Sequence, residues 1–318
     1  GASAPGTGQI HEEQVRRGEP FPPVLPAVDR LIRELPRRRG YALVVGLGDG
    51  SLLGALAQRT ELHVVGVDTD RQRIARMRRD FASRGLYGAL DRPSGRGSIA
   101  LQEVETFEAL PFVDHLFNLV LRGDAETPLP KSEARRLVSR WEGLVVNLDG
   151  EAERGVTPRA AGQWTHAYGD PGNSASSGEG LIDGEVGLRW FGRPGPERIV
   201  DRHMRAPPPL AGGGYLLVPG RDYLYGLDAC NGTVLWEREI PGFMRVSMLR
   251  DCGNLVLDAA SKRVFASAGS KCLILDLVNG RTVRELDAGV EHDWGYLALA
   301  LGVLVGSAVP AGGVRREV

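Results

Sequence analysis

Cysteine is scarce in this chain: Cys230, Cys252 and Cys272 are the three in 318 residues. An odd count with no Cys-x-x-Cys pair excludes a complete disulfide framework and a cysteine-built zinc site. The thiols read instead as small buried hydrophobes on strands. Long apolar runs are missing too. No stretch reaches the ~20 residues a helix needs to cross a bilayer, and the run from Tyr296 to Val309 is too short and too glycine-rich. Nor is there an excess of one charge, since 39 Lys and Arg face 40 Asp and Glu for a net −1. Nothing electrostatic therefore argues for a nucleic-acid partner, and the clusters Arg37–Arg39 and Arg76, Arg78 and Arg79 read as solvated helix faces or ends. The six histidines, His11, His63, His115, His166, His203 and His292, have no partners at i+3 or i+4, so no metal is assigned. His292-Asp293 reads as a turn rather than as a base with its orienter. The chain starts at Gly1 rather than Met, so a signal peptide, and with it the compartment, is not readable at this end.

What is present divides into two halves of different rhythm, in keeping with a length that suggests about two domains. In the first, short apolar runs alternate with helical patterns. The spacing predicts a helix over 28–35 ending near Pro36, a strand over 41–46, a helix over 51–59, a strand over 62–68 and an arginine-rich helix over 70–84. Strands over 99–104 and 115–121, a helix over 131–141 and a fifth strand over 143–148 follow. Strands separated by helices make βαβ units, hence a parallel sheet with ligands at the carboxyl ends of its strands.

The most informative stretch is residues 41–70. The apolar run Tyr41–Val45 ends in Gly46, Gly48 and Gly50, and the next apolar run stops at Asp68. Such glycines let backbone N–H groups approach a ligand, and such an acid accepts hydrogen bonds from ribose hydroxyls, which is a recipe for holding an adenosine. The dinucleotide fingerprint G-x-G-x-x-G would need glycine where Ser51 stands. The bland alternative is a glycine-rich strand–turn–helix with no ligand. The observed G-x-G-x-G resembles the first motif of the class I methyltransferase family, and Asp68 matches the acid closing that family's second strand, over about residues 24–150. The resemblance implies S-adenosylmethionine as the cofactor, held by Gly46, Gly48, Gly50 and Asp68. It also puts Glu103 and Glu105 near the adenine side, although plain surface explains Glu105 equally well. Members that methylate amino groups carry Asn/Asp-Pro-Pro-Tyr after the fourth strand, whereas this chain has Leu121-Arg122-Gly123-Asp124. The family also continues with a helix and an antiparallel strand pair after the fifth strand. Here a linker-sized segment, 151–163, follows, so the sheet is expected to lack its last strands.

After residue 163 helical periodicity gives way to an internal repeat. Asp228, Asn231 and Gly232 recur 48 residues later as Asp276, Asn279 and Gly280, and Tyr215–Val218 recurs as the strand 263–266. Each Asp closes a strand, Asn-Gly makes a turn that favours positive φ, and an apolar pair starts the return strand. A hairpin repeating every 40–50 residues has the spacing of propeller blades. Gly226, Asp228, Asn231, Gly232 and Trp236 resemble the A-x-D-x-x-T-G-x-x-x-W repeat of pyrroloquinoline-quinone-type (PQQ-like) propellers. The second copy has Arg284 in place of tryptophan. Leu188–Phe191, with Trp190 lying 46 residues before Trp236, resembles the end of an earlier blade, and Gln163–Asp170 resembles the lead-in to such propellers. The resemblance implies that Trp236 packs between blades. Asp228 and Asp276 read as hairpin acids, and the quinone-site residues of the family are not visible, so PQQ itself is not supported.

The expected organisation is a disordered segment or tail over 1–23, a Rossmann-like methyltransferase-like domain over 24–150, a linker over 151–163, and an all-β partial propeller of about three blades over 164–318. A ring of that size is unfinished, so the chain is expected to be a piece of a longer protein. Two functional readings follow. In one, the first domain binds S-adenosylmethionine, with unknown methyl acceptor, and the propeller presents a substrate or a protein partner. In the other, the nucleotide-binding fold is vestigial and the propeller is a non-catalytic scaffold or quinoprotein-like module. A cytoplasmic setting goes with use of S-adenosylmethionine, and a periplasmic one with an export signal ahead of Gly1.

Overall fold

The structure, a computed structural model, describes residues 26–88, 96–147, 151–182, 184–194, 208–243 and 254–311. The expected tail over 1–23 and Cys252 lie outside them. The first half opens with α1 (Pro26–Glu34), β1 (Arg39–Val45), α2 (Ser51–Arg59), β2 (Glu61–Asp68) and α3 (Arg71–Ser83). It continues with β3 (Ser98–Glu103), β4 (Leu119–Arg122), α4 (Lys131–Leu137), β5 (Leu144–Val146) and β6 (Ala152–Arg154). The sheet runs β3-β2-β1-β4-β5-β6, parallel throughout except for β6. That order reverses direction between β1 and β4, which makes the sheet Rossmann-like and places a crevice at the carboxyl ends of those two strands. β1 reads as one apolar run because both its faces are covered: Ala42 and Val44 join the core under α2 and α3, Leu43 and Val45 the core on the α4 side.

Several details of this half differ from the sequence reading. β4 starts at Leu119, not at residue 115, because His115 sits at φ 60° and breaks the extended run. α4 stops at Leu137 because Val138 is extended and bridges Phe117. The segment expected to be linker begins with β6, antiparallel to β5, so one strand does follow the fifth. And Arg37, expected on a solvated end, is buried.

The second half is all β. β7 (Leu210–Gly212), β8 (Tyr215–Pro219), β9 (Tyr223–Asp228) and β10 (Val234–Glu239) form one four-stranded antiparallel sheet. β11 (Asn254–Asp258), β12 (Arg263–Ala268), β13 (Lys271–Asp276) and β14 (Thr282–Asp287) form a second, and β15 (His292–Ala300) and β16 (Val303–Pro310) a two-stranded third. β9 and β13 both end at the repeat aspartate, and Gly232 and Gly280 take φ 72° and 69° in the turns that follow. His292 opens β15 rather than lying in a turn.

The first strands of the three sheets meet one segment. Trp164 pairs with Ala211 of β7, the Leu257 N–H of β11 donates to the Thr165 carbonyl, and the Leu299 N–H of β15 donates to His166 Nε2 at 3.0 Å. His166 is therefore held as the neutral tautomer with its proton on Nδ1, facing the Thr165 hydroxyl at 2.8 Å. Burial lowers its pKa, against the opposing pull of Asp170.

The two four-stranded sheets are keyed together by an indole. Trp236 Nε1 donates to the Leu277 carbonyl at 2.8 Å while the ring lies on Gly280, where a Cβ would stand 2.6 Å from Cε3. Trp190, outside any strand, makes the matching contacts one repeat earlier, donating to the Ala229 carbonyl at 3.1 Å and lying on Gly232.

The two halves join through a polar seam. Arg37 is ion-paired with Asp228 and with Glu142 (3.0 Å), and its guanidinium lies 4.5 Å from the Tyr215 ring centre. Asn118 Nδ2 donates to Asp228 at 2.7 Å, and Asn231 Nδ2 donates to the Leu116 carbonyl and to Asn118 Oδ1, both at 3.0 Å. Lys262 donates to Glu142 at 2.6 Å. Burial opposes charge on Glu142, but the bonds from Lys262 and Arg37 hold its carboxyl below the usual range. Buried beside Arg37 and Glu142, the Tyr215 phenol is pushed up to about 12. Arg37, Asn118 and Glu142 precede β1, β4 and β5, so the β half sits at the amino ends of the parallel strands.

Candidate functional site

At the opposite, carboxyl ends of β1, β2 and β4 lie the residues singled out from the sequence. Gly46, Gly48 and Gly50 take φ 75°, 54° and 87°, which non-glycine residues adopt only with strain. Gly46 and Gly48 pack tightly against the loop after β4, and Gly50 faces Phe81 and Met77 of α3. A Cβ at Gly46 would stand 2.8 Å from Asp124 Oδ2, and one at Gly48 would stand 2.8 Å from the Gly123 carbonyl oxygen. The glycines thus let the turn after β1 and the loop after β4 touch, whether or not a ligand lies on them.

Asp68, the last residue of β2, is 3% exposed and stands against that turn. Its Oδ2 accepts the Leu47 N–H and Arg73 Nη1–H, both at 3.0 Å, and its Oδ1 accepts the Asp70 N–H at 2.8 Å. The acid and the glycine turn, 18 or more residues apart in the chain, are therefore brought into direct contact. Around them, Asp70 caps α3 by accepting the Gln72 and Arg73 N–H groups, which hold its carboxyl low. Asp49 accepts the Ser51 hydroxyl and N–H at the start of α2, and these bonds lower its pKa. Asp124 accepts the Glu126 and Thr127 N–H groups; burial works against its charge, yet these bonds and nearby Arg73 keep it low. The rim is thus acidic, with Arg73 and Arg122 among its cations.

Glu105 stands apart. It lies beyond the end of β3 and is exposed. Arg73, Arg122 and Asp124 were not selected from the sequence as site residues. Arg73 is lost among the arginines of α3, and its only local signal is its place one turn after the strand-ending acid. Asp124 is signalled by its position two residues past β4.

An adenosyl ligand fits this set in part. The carboxylate is at the glycine turn, where a ribose would need it. Arg122, which closes β4 beside Val45, has a buried Nε without a hydrogen-bond partner among the described residues, a polar group a bound ligand would satisfy. Against this, three acceptor positions of Asp68 are already taken.

No family model matches the chain, and no curated protein matches it in sequence. Solved structures resemble part of it. They include the YcgJ protein from Bacillus subtilis (16% identity, TM-score 0.30, 38% of this chain and 49% of that one). Others are a geranyl diphosphate C-methyltransferase from Streptomyces coelicolor (14%, 0.29, 38% and 44%) and a SAM-dependent methyltransferase from Aquifex aeolicus (15%, 0.31, 38% and 62%). The chain thus spans about half the length of the structures it resembles. At these scores the likeness carries no weight, and the Rossmann-like assignment rests on strand order.

Proposed function

We propose that the first half is a methyltransferase-like module that binds S-adenosylmethionine at the carboxyl ends of β1 and β2, fused to a PQQ-like, propeller-type repeat region. The observation that carries this reading is the placement of the Asp68 carboxylate on the Gly46–Gly50 turn, at the point where the sheet reverses direction. Asp68 would grip the ribose hydroxyls, the turn would admit the rest of the nucleoside, and Glu105 would border the adenine. When bound, the group supplies an activated methyl. The chain's part is to orient it, since transfer from a sulfonium rests on positioning. The repeat region is read as propeller blades from its two matching four-stranded sheets and the paired docking of Trp190 and Trp236. Its place at the amino ends of the strands argues that it serves as a partner platform rather than as a cover for the site.

One finding favours the scaffold reading instead. The glycine turn is packed by the chain's own loop and Asp68 is bonded within the fold, so the motif is self-consistent without ligand. Calorimetric titration separates the two. We expect micromolar binding of S-adenosylmethionine, none of NAD, and at least a tenfold loss in Asp68→Ala, the scale of lost charge-assisted hydrogen bonds (~1.5–3 kcal/mol). Absence of binding by both ligands selects the scaffold.

A further inference from the structure

The three bonds to Asp68 are not alike. The Leu47 N–H belongs to the glycine turn and the Asp70 N–H opens α3, so both are fixed by the backbone. The third comes from the Arg73 side chain, which is 36% exposed. Its other carboxylate contact, to Asp70, is loose at 3.8 Å. A carboxylate offers about four acceptor positions, and a ribose diol asks for two of them. With three taken, a nucleoside finds one open, and the only donor that can leave without unmaking a turn or a helix start is Arg73.

We propose that Arg73 is a latch on the candidate site, a residue whose guanidinium holds Asp68 in the free protein and yields it to a cis-diol ligand. This rests on the adenosyl reading above. The exchange leaves no charge stranded. Asp70 already stands 3.8 Å from Arg73, which also lies in the field of Asp124, so a released guanidinium has other carboxylates to face while two backbone N–H groups continue to support Asp68. The latch taxes every diol ligand by the cost of opening it, so removing it should tighten binding. A purely structural Arg73 would do the reverse, because its loss would loosen the loop that carries Asp68.

The test is titration of wild type, Arg73→Gln and Arg73→Lys with S-adenosylhomocysteine, with melting temperature recorded for each. Arg73→Gln is expected to keep a cooperative transition and lower Kd by roughly threefold or more, the scale of a half-exposed ion pair. Arg73→Lys, which keeps the charge but lacks the planar fork, should fall between. Equal or weaker binding by Arg73→Gln, with wild type binding measurably, overturns the latch and leaves the adenosyl reading standing. No binding by wild type or either variant overturns both. Should Arg73→Gln fail to fold, an unchanged Kd in Arg73→Lys overturns the latch by itself.

Discussion

Asp228 and Asp276 occupy the same place in two copies of one turn, yet their surroundings differ. Asp276 accepts the Val278 and Asn279 N–H groups at 2.8 and 3.2 Å and has Arg263 at 3.6 Å, near the surface. Asp228 accepts the Cys230 N–H on one oxygen and turns the other to Asn118 and Arg37, with its side chain 1% exposed. Removing one partner of a buried ion pair costs about 3–5 kcal/mol, whereas an exposed pair is worth about 1 or less. Asp228→Asn should therefore lower unfolding free energy by about 3 kcal/mol or more, and Asp276→Asn by about 1 kcal/mol, as read from urea midpoints at unchanged slope. Equal losses would mean that the seam between the two halves carries no special weight. Asn231 follows the same logic, its amide reaching across to Leu116 and Asn118 while Asn279 serves its own turn.

Among elements, the keyed indoles hold the sheets side by side. Trp236 sits over Gly280 and bonds the Leu277 carbonyl, so Trp236→Phe removes one hydrogen bond, about 1 kcal/mol. Trp236→Ala also empties the site, for about 3–5 kcal/mol. Thermal or urea unfolding of both variants checks the order, and an alanine variant within about 1 kcal/mol of wild type would show that the ring does not dock the sheets. This part of the fold was legible in the sequence because the repeat signals are local: Asp, Asn, Gly and Trp act within one turn and its neighbour. The βαβ order was legible for the same reason, with α2 falling at Ser51–Arg59 as the pattern predicted. β6 was not, since Ala152-Glu153-Arg154 is exposed and shows no apolar alternation. Arg37, Asp228 and Arg73 were illegible because nothing in a local pattern tells a solvated arginine from one whose partner arrives from elsewhere; Asp228 lies 191 residues beyond Arg37.

For the whole molecule, the two halves meet at one pole of the parallel sheet and leave the other to the candidate site. Arg37, Asn118, Glu142, Asp228 and Asn231 knit the first pole through buried bonds. Asp68, the glycine turn, Arg73 and Asp124 gather at the second. Among the described residues no helix is long and apolar enough to cross a membrane. Hydrogen–deuterium exchange on the intact chain, with and without saturating S-adenosylmethionine, tests this polarity directly. Ligand should slow exchange in peptides covering 46–50, 68–73 and 122–127 and leave 37–39, 116–118 and 228–232 unchanged. Unaltered exchange at 46–50 and 68–73, or protection confined to the seam, would contradict the account.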